Sequence, residues 1–249
     1  MTPGEYIPKL NKAPLLEAIL EVRWEIETSE EKIVYDPGFE LAQGVFESKI
    51  SQELPYYRRL GPAISPQAYH TVHQFWKGER EWPVVQLGPG IMTINDTGTN
   101  YEWNASFKPL ILRSIEALNQ SYKSNIRYNF FLLRYINALA VPNETSFYSF
   151  IEDVLQIKIE KRFGFDGSFD DFALSETYSL PNESRINLTV NSGANIATHQ
   201  QALIWQISVI KNTGLRLEEI NSWVEESHLS VSSLFRKIVS QKYYDSFKL

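Results

Sequence analysis

Hydrophobic and polar residues alternate with a period of two from Pro14 onward. Leu16, Ala18, Leu20, Val22, Trp24 and Ile26 fall on one side, and Glu17, Glu21, Arg23, Glu25 and Glu27 on the other, with Leu15 and Ile19 as exceptions. That alternation predicts a strand with one face on a core. The period then becomes helical. Asp36-Pro37 supplies a cap and a first-turn proline, and Phe39, Ala42, Val45, Phe46 and Ile50 form a stripe that ends at Leu54-Pro55. Tyr56 to Pro66 reads as a loop carrying Arg58 and Arg59. Three short strands follow near 68–77, 83–88 and 90–96, with turns at Gly78 and Gly88-Pro89-Gly90. A helix over 101–122 buries Trp103, Phe107, Leu110, Ile111, Ile115 and Leu118, and Pro109 kinks or restarts it.

The longest apolar run, NFFLLRYINALAV, covers 129–141 and holds one charge, Arg134. It is too short for a bilayer, which needs about 20 apolar residues. It predicts a strand over 126–140, buried on both faces. A helix begins after Pro142, with Asn143 or Thr145 as its cap and Phe147, Phe150, Ile151, Val154 and Leu155 on its apolar face. A Gly- and Asp-rich loop covers 164–171. Strands are predicted at 172–180, 185–191 and 202–211, and a long helix or helix pair over 217–238.

Each half of the chain thus reads as strand, helix, three strands, helix. Val22-Arg23-Trp24 is echoed by Leu133-Arg134-Tyr135, and Asn95-Asp96-Thr97-Gly98 by Asn212-Thr213-Gly214, in the same order. The expected architecture is α+β: residues 1–13 form an arm, and two βαβββα halves, 14–124 and 125–249, build one curved antiparallel sheet of about eight strands with helices on one face. It resembles, at the level of fold alone, the duplicated saddle of the TATA-binding protein.

Composition narrows the function classes. At 249 residues and 43% hydrophobic the chain can bury a full core. A net charge of −6 argues against a large basic surface, and so against nucleic acid as the default partner. The absence of cysteine removes disulfides, thiolate nucleophiles and Cys-held metals. The first residues lack the apolar stretch of a signal peptide, so a cytoplasmic protein without membrane attachment is expected.

Four stretches carry a resemblance: Lys12-Ala13-Pro14-Leu15-Leu16-Glu17, Glu21-Val22-Arg23-Trp24, Leu133-Arg134-Tyr135-Ile136-Asn137, and Glu226-Ser227-His228 with Leu234-Phe235. Together they resemble a sporadically distributed family of bacterial and archaeal proteins of about this length, to which no activity is assigned. The central Leu-Arg-Tyr-Ile-Asn segment is its most specific piece; Leu132 stands where members usually have Gly. The family's patchy distribution implies an accessory role in mobile or defence-linked loci.

The candidate binding residues are Arg23, Trp24, Arg134, Tyr135, Asn137 and His228. Under duplication, Arg23 and Arg134 occupy equivalent positions and together could clamp a carboxylate or phosphate; otherwise each pairs with a nearby carboxylate. Glu17 and Glu21 share a strand face about 13 Å apart, too far for a glycosidase pair. His70 and His73 point to opposite strand faces, and His228 falls on the apolar stripe of the last helix, as a packing histidine would. No ligand-spaced histidines, Walker loop, GxGxxG or GxSxG occurs. The 166–171 segment lacks the closing Glu of a calcium loop. Tyr56, Tyr57, Trp76, Trp82, Tyr101, Tyr243 and Tyr244 fall at element ends beside Arg58, Arg59, Lys77 and Arg80, which suits a protein interface or base stacking. The expectation is a non-catalytic protein without cofactor or metal that binds a protein partner or a second copy of itself. The alternatives are a nucleic-acid or nucleotide binder using the sheet's open face, and an enzyme of unrecognised type, for example a hydrolase, built on the arginine pair and a carboxylate in a cleft.

Overall fold

The strand at the head of the chain forms where the alternation predicts it: β1 spans Leu15–Trp24 and buries Ala18, Leu20, Val22 and Trp24. Leu16, expected inside, is 52% exposed; the pairing of β1 with the strand at 91–97 begins only at Glu17. The computed structural model describes residues 10–30, 32, 34–61, 67–99, 101–160, 162 and 171–248. Residues 1–9 of the expected arm, and the acidic loop apart from Asp171, lie outside them.

The chain continues as β2 (Glu27–Thr28), β3 (Val34–Tyr35), α1 (Phe39–Ile50), β4 (Tyr56–Arg59), β5 (His73–Gly78), β6 (Glu81–Gly88) and β7 (Ile91–Thr97). A π-helical turn, Trp103–Phe107, leads into α2 (Lys108–Ser121). Then come β8 (Tyr128–Ala140), α3 (Phe147–Leu155), β9 (Ala173–Ser179), β10 (Arg185–Ala194), β11 (Gln201–Lys211), α4 (Leu217–Ile238) and α5 (Gln241–Ser246). The protein is therefore α+β. Its large antiparallel sheet has nine strands in the order β4-β5-β6-β7-β1-β8-β11-β10-β9; β2 and β3 pair separately. The ninth strand, β4, lies where a loop was expected. No helix among the described residues is long and apolar enough to cross a membrane.

Pro109 restarts the α2 helix rather than kinking it. It sits in the first turn of α2, where its missing N–H costs nothing, and the wider turn before it closes through Phe107 N–H to Glu102 O at 2.9 Å. In β8, Phe131, Leu133, Tyr135 and Asn137 are buried on one face. On the other, Leu132 is buried but Phe130, Arg134 and Ile136 are only half-buried, so the strand is not sealed on both sides as its apolar sequence suggests.

Contacts divide the chain into two units. The first comprises Glu17–Leu133 with Ile210–Glu226; the second comprises Arg134–Val209 with the residues up to Leu16 and from Ser227. In the first unit, α1 packs Phe46 against Phe75 of β5 at 5.6 Å between ring centroids, and Phe39 against His73 at 5.7 Å. Burial of side chains this size stabilises by about 1.5–3 kcal/mol each. Asp36 ties four segments together. Its Oδ2 accepts from Trp24 Nε1 (3.1 Å), from the Tyr122 hydroxyl (2.6 Å) and from Gly90 N–H (3.2 Å), while Oδ1 accepts from Gly38 N–H (3.2 Å). The carboxylate thus binds the end of β1, the β6–β7 turn, the exit of α2 and the approach to α1, which starts at Phe39, three residues beyond the predicted cap. Gly90 is suited to its place because the turn holds it at φ +74°.

In the second unit, Trp205 of β11 stacks on Phe235 of α4 at 6.3 Å. Gln156 closes α3 in the left-handed conformation, and its side-chain amide donates to the carbonyls of Lys237 and Val239. Lys12 N–H reaches Phe247 O at 2.9 Å, so the chain's early residues pair with the end of α5.

Candidate functional site

The register of the first unit sorts its open face, the side turned away from α1, into two rows. Directly opposed residues share a face and touch. One row runs Tyr56 (β4), Trp76 (β5), Val84 (β6), Asn95 (β7), Ile19 (β1); the next runs Arg58, Gln74, Gln86, Thr93, Glu21. The first is mainly aromatic and aliphatic. The second is wholly polar, with a guanidinium at the sheet edge and a carboxylate at its inner end.

Hydrogen bonds link the polar side chains across four strands. Trp76 Nε1 donates to Gln74 Oε1 (3.3 Å), Gln74 Nε2 to Gln86 Oε1 (2.9 Å), Gln86 Nε2 to Asn95 Oδ1 (3.3 Å), and Asn95 Nδ2 to Glu17 Oε1 (2.8 Å). Each donor amide is also an acceptor, so all the amides take one orientation and the chain ends on the Glu17 carboxylate. Thr93 sits within this row, 8% exposed, and its Oγ1 has no hydrogen-bond partner.

Arg23 lies at the end of β1 on the same face. Its Nε donates to Glu21 Oε1 at 2.6 Å, and its guanidinium lies 4.9 Å from the centroid of the Phe130 ring and 5.6 Å from that of Tyr69. Arg23 is thus already paired, with the carboxylate two residues before it on its own strand. Glu17 and Glu21 are held by Asn95 and Arg23. Trp24 points to the other side of the sheet and donates to Asp36. It belongs to the packing of the unit.

The edge of this face is β4. All four of its residues are exposed, Tyr56 by 52% and Tyr57 by 44%. Trp82 contacts Trp76 at 5.2 Å, so Tyr56, Trp76 and Trp82, separate in sequence, adjoin Arg58 at one corner. On the reverse side Tyr57 stacks on His73 (5.7 Å) and leans on Phe75 (5.6 Å), and its hydroxyl lies 2.8 Å from His73 Nδ1. Burial, and secondarily the Arg59 charge, hold the His73 imidazole below its ordinary pKa. Burial and the Glu47 carboxylate push the Tyr57 phenol up.

Of the remaining candidates, Tyr135 and His228 come together in the second unit, and Asn137 lies on the same face of β8 as Tyr135. The Tyr135 hydroxyl lies 2.9 Å from His228 Nδ1, joining the central Leu-Arg-Tyr-Ile-Asn segment to the Glu-Ser-His stretch of α4. Asn137 is 3% exposed and its Nδ2 has no acceptor. Arg134 is on the opposite face of β8 from Tyr135 and Asn137, half-buried. Arg23 and Arg134 belong to different units.

No family model and no curated protein matches the chain. Among solved structures, it is similar to DynU16, a protein in the dynemicin biosynthetic locus, at 12% identity over 91% of this chain and 98% of that one, with a TM-score of 0.23. A likeness that distant carries no argument about fold or chemistry.

No group of three or more His, Asp or Glu among the described residues is placed to hold a metal ion. The arrangement offers half-buried amides, Gln74 and Gln86, beside an exposed aromatic and cationic edge, with Val84, Thr93 and Asn95 buried behind them. Gln74, Gln86, Thr93 and Asn95 were missed from sequence. Each stands at a polar position of a predicted strand, but nothing local shows that the four adjoin.

Proposed function

We propose that this protein is a non-catalytic interaction module that acts through protein–protein contacts made by the open face of its first unit. The observation that carries the reading is the pairing of the exposed Tyr56–Arg59 edge with the continuous row Arg58, Gln74, Gln86, Thr93, Glu21. Aromatics and arginine dominate the energetic centres of protein interfaces, and amides supply directional contacts around them. The absence of catalysis is an inference from commitment: Glu17, Glu21, Arg23 and His73 each already have a partner side chain.

The internal duplication proposed from the sequence echoes fits the same reading. The order β5-β6-β7-β1 and the order β9-β10-β11-β8 are one arrangement met from opposite ends of the sheet, as two βαβββα halves would produce. In the first unit α1 packs on one face of the sheet, through Phe39 and Phe46, and the other face is left for a partner. The resemblance to the sporadic bacterial and archaeal family adds the accessory role in mobile or defence-linked loci.

A second reading, a nucleic-acid binder, draws on the Tyr56, Trp76, Trp82 and Arg58 corner, where bases would stack. Glu17 and Glu21, on the same face, oppose a polyanion. The test compares tagged wild-type protein with a Tyr56→Ser/Arg58→Glu variant of equal melting temperature. A protein captured from lysate by the first and lost with the second supports the interaction reading. Identical captures refute it. A shift with a mixed oligonucleotide pool at low salt, lost in the variant, favours nucleic acid instead.

A further inference from the structure

We propose that β4 is a docking edge for an acidic, extended protein segment, which joins the sheet as an antiparallel strand. The inference rests on the interaction reading above and names the partner's chemistry.

The strand ends the sheet, and among the described residues no strand pairs with its outer edge. A terminal strand presents main-chain N–H and C=O groups to one side, which proteins usually guard with lysine, proline or a bulge. Here the four residues are Tyr56, Tyr57, Arg58 and Arg59, all exposed. Neither arginine forms an ion pair among the described residues. Tyr57 is anchored on Phe75 and His73, and Tyr56 stands opposite Trp76, so the aromatic half of the edge is pre-ordered and loses little freedom on binding.

Register specifies what would fit. Tyr56 and Arg58 lie on the open face, Tyr57 and Arg59 on the reverse. A strand added antiparallel meets Arg59, Arg58, Tyr57 and Tyr56 in that order along its own direction. Its complement is two consecutive acidic residues, one for each face, followed by two apolar β-formers. The ladder supplies affinity and the side chains supply order. A second copy of this chain is disfavoured as the occupant: pairing β4 with itself gathers four guanidiniums over eight residues with no carboxylate between them.

Fluorescence anisotropy with the full-length protein tests this, using short labelled peptides at low and moderate salt. The probe carries two glutamates followed by two valines within a threonine-rich frame. Controls reverse that order, replace the glutamates by lysine, or place proline at alternate positions. The probe is expected to bind and weaken with salt, and the lysine and proline forms to fail. Arg58→Glu/Arg59→Glu should weaken binding about tenfold or more, since two exposed ion pairs become repulsions; Arg58→Lys/Arg59→Lys should retain most of it. Binding that ignores proline, ignores the order of acids and valines, or ignores Arg58 and Arg59 overturns the inference. So does an absence of binding at millimolar peptide, a β4-dependent dimer that excludes the peptide, or an oligonucleotide that binds in its place. If the peptides fail while the lysate comparison still yields a β4-dependent partner, only strand addition falls; if both fail, the interaction reading falls with it.

Discussion

Replacing Asp36 by alanine should destabilise the first unit more than any other single change at a polar position. The carboxylate accepts from Trp24, Tyr122, Gly90 and Gly38. Trp24 is 2% exposed and Tyr122 is half-buried, with burial and the Asp36 carboxylate pushing its phenol far up, so both donors lose their partner in a largely enclosed place when the acceptor is removed. A buried donor left unmet costs about 1–3 kcal/mol, so two such donors, with the lost main-chain bonds, give a loss of about 3–5 kcal/mol. For a chain of this size that is a fall in Tm of about 10 °C. Urea unfolding followed by tryptophan fluorescence and by near-ultraviolet circular dichroism measures it. Asp36→Asn, which keeps one acceptor, should lose about half as much. Tyr122→Phe should lose about 1–2 kcal/mol, and in a double-mutant cycle its effect should largely vanish on the Asp36→Ala background. A loss below about 1 kcal/mol for Asp36→Ala, or additive effects of the two changes, would refute the claim that Asp36 clamps these segments.

Four further outcomes are expected. The folded state holds the His73 pKa below its unfolded value near 6.5, so the unfolded chain takes the proton first; stability present above pH 6.5 is lost as pH falls, and His73→Gln should flatten urea midpoints over that interval. Asp96 is the opposite case: it is 1% exposed, and burial raises its pKa against the opposing Thr97 N–H and Lys77 charge. Its contribution is therefore greatest at acid pH and is lost as pH rises, so Asp96→Asn should unfold later than wild type at pH 8, with the advantage shrinking towards pH 4; a variant less stable at every pH refutes this. Tyr135→Phe should cost about 1 kcal/mol, the worth of its bond to His228, with no change in partner capture. Asn137→Leu removes a buried donor that has no acceptor and should be near neutral in thermal melts; lost capture at unchanged stability would instead mark Asn137 as a binding residue.

Local pattern determined the elements that depend on neighbours in sequence. The alternation from Ala18 to Trp24 became β1, the stripe from Ile220 to Val231 became part of α4, whose ends match the expected 217–238, and the α+β class followed. Side-chain period and proline placement act within a few residues, so they are legible without the fold. What tertiary structure alone decided is pairing at a distance. β4 has no apolar alternation and exists as a strand because β5 hydrogen-bonds it, so Tyr56 to Arg59 read as loop. Arg23 looked free for a ligand because its partnership with Glu21 depends on a side-chain rotamer as well as on spacing. The row from Arg58 to Glu21 draws its members from five strands, and a one-residue slip in any register would turn that strand's member to the other face. Composition sets which groups are available, but sheet register decides which of them meet, because it is fixed by the burial of the opposite face and not by the polar residues themselves.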